Sequence, residues 1–211
     1  MANLDRLVDV QISLSTTSIS KNSYSDLLFM VPHALSVGRT MVITSADELL
    51  DVGFKSTDAA YKAAVACFSQ APHIKQMYVG RKAIDALTLA VGAVKNGNSY
   101  GVTLGYYDAD GELVTTPVSV VASTGNDEAS IATDLAAAIN AVTDVPVTAT
   151  ATAGSIEIEA TVSGTPFSVK PTSTLTQTTV TSAESWADAL SAAKKAKGSW
   201  YGLAISSREE A

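Results

Sequence analysis

The chain has 211 residues, 46% of them hydrophobic, which is enough for one large domain or two small ones with packed cores. Only 17% of the residues are charged and the net charge is −7, so the composition argues against nucleic acid and anionic membrane surfaces as partners. No apolar run reaches the roughly 18 residues of a membrane-spanning helix, and the amino terminus does not resemble a signal peptide.

The first predicted element is a strand, VDVQISL, in which apolar and polar residues alternate with the period of a half-buried strand. Its apolar residues are Val8, Val10, Ile12 and Leu14. A loop follows, and then LLFMV, a short apolar run that ends at Pro32, predicts a strand buried on both faces. TMVIT predicts another strand, and Ser45 with Glu48 forms a capping box that predicts a short helix ending at Gly53.

A longer helix is predicted from Ser56 to about Gln70, because small and apolar residues recur there at helical spacing. Pro72 ends this helix, and IKQMYVG predicts the next strand. Residues 27–80 therefore have the order strand, strand, helix, helix, strand, which is typical of an α/β unit.

The composition changes after this unit, and Thr, Val, Ser, Ala and Gly dominate up to about Thr181. Short strand-like segments with frequent turn signals, such as DADGE and TAGS, predict a β-sandwich or barrel here. One helix interrupts these strands, with Asn126 or Asp127 as its cap. Its apolar stripe consists of Ile131, Leu135, Ile139 and Val142.

The α/β character returns after the β-rich region. Thr181 and Glu184 form a capping box before a predicted helix that contains Trp186 and ends at Gly198. Three lysines in its last turn suit the negative end of the helix dipole. WYGLAI then predicts a strand.

The predicted fold class is α+β or α/β, with a β-rich, sandwich- or barrel-like module of residues 86–181 that carries one helix. This module is inserted into a partial α/β domain of residues 1–85 plus 182–211, as a surface loop allows when the ends of the insert lie close together. We expect the α/β domain to be incomplete at its carboxyl end. Ser206 and Glu209 form a capping box there, but only about one turn of sequence remains for the helix.

Residues that could carry catalysis or bind a metal are few. His33 and His73 each follow a proline at an element junction, and neither has another ligand at metal-binding spacing. Cys67, the single cysteine, is expected to be a small buried hydrophobe. Glu157 and Glu159 alternate with isoleucines and are expected on the solvent face of a strand. DADGE lacks the further acidic ligands of a calcium loop. We therefore predict no enzyme, no cofactor and no metal site.

A resemblance to a known family rests on three segments: RLVDVQISLSTTSISKNSYSDLLFMV, ADELLDVGFKSTDAAYKAAVACFSQAP with a following YVGRK, and WYGLAISSREEA. Together they resemble the tail sheath proteins of contractile-tailed bacteriophages. The resemblance spans residues 7–81 and 181–211. In the middle, the helix GNDEASIATDLAAAINA and its surrounding strands are similar to the β module that such proteins insert.

This resemblance implies a structural protein of the virion, assembled in the host cytoplasm. Its subunits would polymerise as stacked hexameric rings around the tail tube and would drive contraction by rearranging. The expected partners are other sheath subunits and the tail tube, with no nucleic acid and no membrane. Because sheath proteins are longer than this chain, we expect a fragment that lacks the tube-binding region and is monomeric or weakly oligomeric by itself.

In this family, terminal arms add strands to the sheets of neighbouring subunits, so that the edge N–H and C=O groups are satisfied by another chain. The predicted inter-subunit arm here is the first strand, with its residues Val8, Val10, Ile12 and Leu14. An ordinary strand within its own domain is the alternative.

Two other classes of function are compatible with the residues. The β-rich region also suits an adhesin-like or carbohydrate-binding sandwich, which predicts aromatic side chains clustered on one exposed face. The aromatic residues of that region are Tyr100, Tyr106, Tyr107 and Phe167. A small α/β enzyme is the third class, and it needs a pocket with perturbed acids that the sequence does not display.

Overall fold

A computed structural model describes residues 26–71, 74–198 and 200–207. In chain order these residues form β1 Asp26–Pro32, β2 Thr40–Ile43, α1 Asp47–Val52, α2 Ala59–Phe68, β3 Gln76–Lys82, β4 Ala86–Val91, β5 Ser99–Tyr107, β6 Leu113–Val121, α3 Glu128–Asn140, β7 Val147–Thr152, β8 Ser155–Ala160, β9 Phe167–Pro171, β10 Leu175–Thr181, α4 Trp186–Lys197 and β11 Gly202–Ile205. The strands make three sheets, so the fold is of the mixed α and β class.

The first sheet has the strand order β11-β1-β3-β2. β1 runs parallel to both β11 and β3, whereas β2 is antiparallel to β3. Phe29 of β1 belongs to a core shared with α1 and α2, and Leu28 and Met30 belong to a second core shared with α4. The prediction that LLFMV forms a strand buried on both faces is therefore confirmed.

Alanines allow the helices to lie close to this sheet. Ala60 and Ala64 of α2 are fully buried in the first core, and Ala189 and Ala193 of α4 are fully buried in the second. Small side chains at these positions shorten the distance from helix to sheet, which allows close packing on both faces.

The second sheet has the order β10-β4-β8-β7, and the third has the order β6-β5-β9. The neighbouring strands of both sheets are antiparallel. α3 packs against strands of both sheets and contributes its fully buried Ile131, Leu135 and Ile139 to their common core. The predicted stripe of this helix is confirmed, with Val142 partly buried against the same core.

The structure decides between the two predicted caps of α3, Asn126 and Asp127. The Asp127 carboxylate accepts a hydrogen bond from the Ser130 N–H at 2.8 Å, and the Ser130 hydroxyl accepts one from the Asp127 N–H at 2.9 Å. These reciprocal bonds satisfy two backbone donors, one in the first turn of the helix and one at its cap residue. Asp127 rather than Asn126 is therefore the N-cap.

Two of the other predicted caps are wrong, one by a single residue and the other by four residues. The N-cap of α1 is Ala46 rather than Ser45. The N-cap of α4 is Ser185, whose hydroxyl accepts from the Asp188 N–H at 3.1 Å. Glu184 was the predicted partner of Thr181 in a capping box. Its carboxylate instead accepts hydrogen bonds from Arg39 and from the Ala83 N–H.

The boundaries of two other elements also differ from the prediction. The longer helix, α2, begins at Ala59 rather than Ser56 and ends at Phe68. β4 was not predicted, although it lies inside the second sheet between β10 and β8 with Leu87 and Leu89 buried.

Two short crossing segments lie side by side: residues 83–85 join β3 of the first sheet to β4 of the second, and residues 182–185 join β10 of the second sheet to α4. The Ala83 N–H donates to the Glu184 carboxylate at 2.5 Å, and the Ser182 hydroxyl donates to the Ala83 carbonyl. The Asp85 carboxylate accepts from the Ala183 N–H at 2.5 Å, which lowers the pKa of Asp85. The chain therefore enters and leaves the region of residues 86–181 at one place.

Candidate functional site

The predicted inter-subunit arm lies outside the described residues, and so the proposed role of Val8, Val10, Ile12 and Leu14 stays a prediction. His73 and Glu209 also lie outside them. The search for a site is therefore made in residues 26–71, 74–198 and 200–207.

One open edge among the described sheets is that of the first sheet at β11. β11 pairs with β1 on one side, and among the described strands none pairs with its other side. Leu203 is 45% exposed and Ile205 is 43% exposed. An edge strand with exposed apolar side chains can pair with a strand of another chain.

β11 is held firmly against β1. The Tyr201 N–H donates to the Asp26 carbonyl at 2.7 Å, and the Ser206 N–H donates to the Met30 carbonyl at 3.0 Å. Gly202 lies opposite Leu27, and a Cβ on this glycine would be only 2.5 Å from a Leu27 methyl group. Glycine at this position therefore lets β11 approach β1 without displacing the end of the Leu27 side chain.

The chemistry-bearing residues of the sequence are not gathered in one place. In the described part of the chain, no three His, Cys, Asp or Glu side chains are grouped to hold a metal ion. Cys67 is partly buried, and its burial raises the pKa of the thiol, which keeps it protonated and weakly nucleophilic. Glu157 and Glu159 lie on the exposed face of β8, as predicted.

His33, predicted to have a simple junction role, lies at the end of β1 and is only 4% exposed. Its Nδ1 accepts from the Leu35 N–H at 3.2 Å, and its ring lies edge-on to Phe54 with 5.1 Å between ring centres. Burial, and then the positive charge of Arg81, lower the pKa of His33 from 6.5 to about 3. The imidazole is therefore neutral at pH 7, with its proton on Nε2 because Nδ1 acts as acceptor.

Arg81 was not singled out from the sequence, yet it is a large buried side chain with only 1% exposure. Its Nη1 donates to the Phe167 carbonyl at 3.2 Å, while Nε and Nη2 have no partner among the described residues. Burial, and then the charge of Arg39, lower the pKa of Arg81 to about 10, so it stays charged at pH 7. The available signal was the alternation of Met77, Val79 and Arg81 along the buried face of β3.

Glu184 supplies the nearby negative charge. Its carboxylate accepts from Nη1 of Arg39 at 2.6 and 2.9 Å and also accepts from the Ala83 N–H. Since the charge of Glu184 also raises the pKa of Arg81, one carboxylate faces two guanidinium groups here. This cluster retains an excess of positive charge.

A cavity of about 520 Å³ lies between the two halves of the molecule, which are the first sheet with its helices and the region of residues 86–181. One wall is formed by the end of β1 and the segment from Gly53 to Ala59, and the other by residues 170–177. His33 is part of the lining, together with Lys55, Asp58 and Lys170. The volume is in the range of small-molecule sites.

No model of a known protein family matches the chain, and no curated protein matches it. The resemblance to sheath proteins therefore rests on the sequence segments quoted above. No helix of the described residues is both long enough and apolar enough to cross a membrane.

Proposed function

We propose that the chain is part of a structural subunit of a contractile phage tail sheath. The subunits polymerise as stacked hexameric rings around the tail tube, and contraction is a rearrangement of these subunits. The location is the virion, and the partners are other sheath subunits and the tail tube. This function depends on the surfaces through which subunits contact one another, and it requires no cofactor.

The observation that carries the proposal is the open edge of β11. Strand addition satisfies unpaired backbone groups of the edge with those of a neighbouring subunit. Each added hydrogen bond contributes about 0.5 to 1.5 kcal/mol net, so a strand of this length contributes on the order of a few kcal/mol. Exposed Leu203 and Ile205 add apolar area to such a contact.

The domain organisation within this proposal is a discontinuous α/β domain, residues 1–85 plus 182–211, with residues 86–181 as an inserted module. The paired crossing segments support this division because they bring both ends of the module together. Strand pairing supports it as well, since strands within 86–181 pair only with one another among the described residues.

The carbohydrate-binding alternative has less support. It predicts aromatic side chains clustered on one exposed face, whereas Tyr100, Tyr106 and Phe167 are buried and only Tyr107 of this set is exposed. Stacking on sugar rings requires accessible aromatic faces, and one exposed tyrosine does not make a platform.

Negative-stain electron microscopy of the intact gene product tests the proposed function. We expect tubular polymers from the unsubstituted protein and their loss in Leu203→Lys and Ile205→Lys, because a charged side chain on the edge opposes strand addition. Val162→Lys is the matched control, because Val162 is also exposed but lies outside the first sheet.

The possible results separate the parts of the proposal. If the unsubstituted protein forms no tubes, the sheath function is wrong. If both β11 variants form normal tubes, the edge of β11 is not an assembly surface. Ile12→Lys applies the same test to the predicted arm.

A further inference from the structure

The cavity of about 520 Å³ has a polar lining with an excess of positive charge, in a chain whose net charge is −7. The charged residues of the lining are Lys55, Lys170 and Asp58. The Asp58 carboxylate is already engaged, since it accepts from the Lys55 N–H at 2.8 Å. The Asp58 carboxylate keeps its negative charge, so two ammonium groups and one carboxylate give the lining a net charge of +1.

The amino terminus of α2 borders the same cavity. Ala59, the first residue of this ten-residue helix, is part of the lining, and Asp58 makes no side-chain capping bond to the helix. The first N–H groups of a helix have no partner inside it, and the helix dipole places partial positive charge there. Anions bind readily at such a position.

Lys170 is held in place from the opposite wall. Its Nζ donates to the Asp51 carbonyl at 2.8 Å, and its aliphatic stem lies over Gly53, where a Cβ would be 3.5 Å from Lys170 Cε. Gly53 has φ 121°, a conformation that favours glycine, so the end of α1 leaves room for this stem. The ammonium group is thus fixed across the cavity and can still donate two further hydrogen bonds.

Buried donors behind this surface also lack acceptors. Nε2 of His33, a residue of the lining, has no hydrogen-bond partner among the described residues, nor do Nε and Nη2 of Arg81. A buried donor without an acceptor is costly. Arg81 is not part of the lining, so of these three donors only Nε2 of His33 belongs to a residue of the cavity wall. Arg81 contributes positive potential near His33, as the lowered pKa of His33 indicates.

We propose that this cavity binds a small molecule with an oxyanion group, a carboxylate or a phosphate, at the amino terminus of α2 between Lys55 and Lys170. The hydroxyl groups of Ser173 and Thr176 on the opposite wall provide further donors for its oxygen atoms. Because the walls belong to the first sheet and to the β9–β10 region, a bound anion connects the two halves of the molecule. The proposal does not depend on the sheath function.

Isothermal titration calorimetry of the full chain tests it, with inorganic phosphate and succinate as probes in separate titrations at constant ionic strength. We expect saturable one-site binding in at least one titration, and the tighter probe identifies the preferred anion. Lys55→Gln should raise the Kd about tenfold, because one of the two ammonium groups that would contact the anion is lost. The Lys55 side chain makes no hydrogen bond that the fold depends on among the described residues.

Lys62→Gln is the matched control, since Lys62 is an exposed lysine of α2 that lies outside the cavity lining. Lys170→Gln is a second test, with its folding checked by circular dichroism. The proposal is overturned by the absence of saturable binding of either probe, by equal losses in Lys55→Gln and Lys62→Gln, or by unchanged binding in both cavity variants.

Discussion

Acidification from pH 7 to pH 5 should destabilise the protein through His33. The folded protein holds this imidazole neutral, with a pKa of about 3, whereas the unfolded chain binds a proton near pH 6.5. Between these two values the unfolded state therefore binds more protons, and the free energy of unfolding falls as the pH falls. The stabilisation is present above pH 6.5 and is lost progressively toward pH 3.

The magnitude follows from the two pKa values. Each pH unit between them costs about 1.4 kcal/mol, so the change from pH 7 to pH 5 costs about 2 kcal/mol. Carboxylates with lowered pKa values do not contribute in this range. Asp85 and Asp127, for example, accept backbone hydrogen bonds from Ala183 and Ser130 that lower their pKa values from 3.8, so their effect begins only below that pH.

The assay is urea unfolding at a series of pH values, for the unsubstituted protein and for His33→Asn. The asparagine amide oxygen can still accept from the Leu35 N–H, as Nδ1 of His33 does, but the amide does not titrate. The variant will have lower stability at pH 7 because it loses the ring contact with Phe54. The comparison therefore uses only the change in the free energy of unfolding of each protein between pH 7 and pH 5.

We expect the unsubstituted protein to lose about 2 kcal/mol more than His33→Asn over this interval. Comparing the two proteins removes the contribution of His73, which both contain. If the two losses agree within about 0.5 kcal/mol, an extrapolation error of the usual size, the burial of a neutral His33 is refuted.

Two further predictions concern stability. Leu135→Ala should lower the free energy of unfolding by about 2 to 5 kcal/mol, because this fully buried side chain of α3 would leave a cavity; exposed Asp134→Ala is the control in urea unfolding. Glu184→Gln should cost about 1 to 3 kcal/mol, because it removes the charge that Arg39 and the Ala83 N–H contact. Limited proteolysis should then cut the crossing segments faster, and an unchanged cleavage rate would contradict their role in holding the two halves together.

Local sequence patterns were sufficient to predict those elements whose structure depends on residues close together in the chain. The stripe of α3 and a helix start at Asn126 or Asp127 follow from the local sequence, and the structure then selects Asp127 as the cap. The β5–β6 and β7–β8 hairpins follow equally from their turn residues, DADGE and TAGS.

The cap of α4 could not be chosen in this way. Thr181 with Glu184 and Ser185 with Asp188 both fit the spacing of a helix start, and the choice depends on a distant partner. Arg39 lies 145 positions earlier in the chain and binds the Glu184 carboxylate. Glu184 is therefore not available to form a capping box with Thr181. A local pattern contains no information about such a contact.

The candidate sites depend on contacts of the same long range. The edge position of β11 results from its pairing with β1, which lies more than 170 residues earlier, so the strand could be predicted but its place in the sheet could not. Arg81 illustrates the same limit, since its carbonyl partner belongs to β9. β4 was missed for a local reason, because ALTLAV is a short apolar run at the point where the composition changes.

The adjacency of the two crossing segments has a consequence for how the protein can vary. Ala86 and Thr181 are directly paired in neighbouring strands, and the Asp85 N–H donates to the Thr181 carbonyl at 2.9 Å. The stretch between them therefore begins and ends one strand spacing apart, which is the end geometry that an inserted module needs. An exchange of this stretch would also remove the Phe167 carbonyl that Arg81 contacts and the Lys170 ammonium group that contacts Asp51, so a replacement would have to supply both contacts.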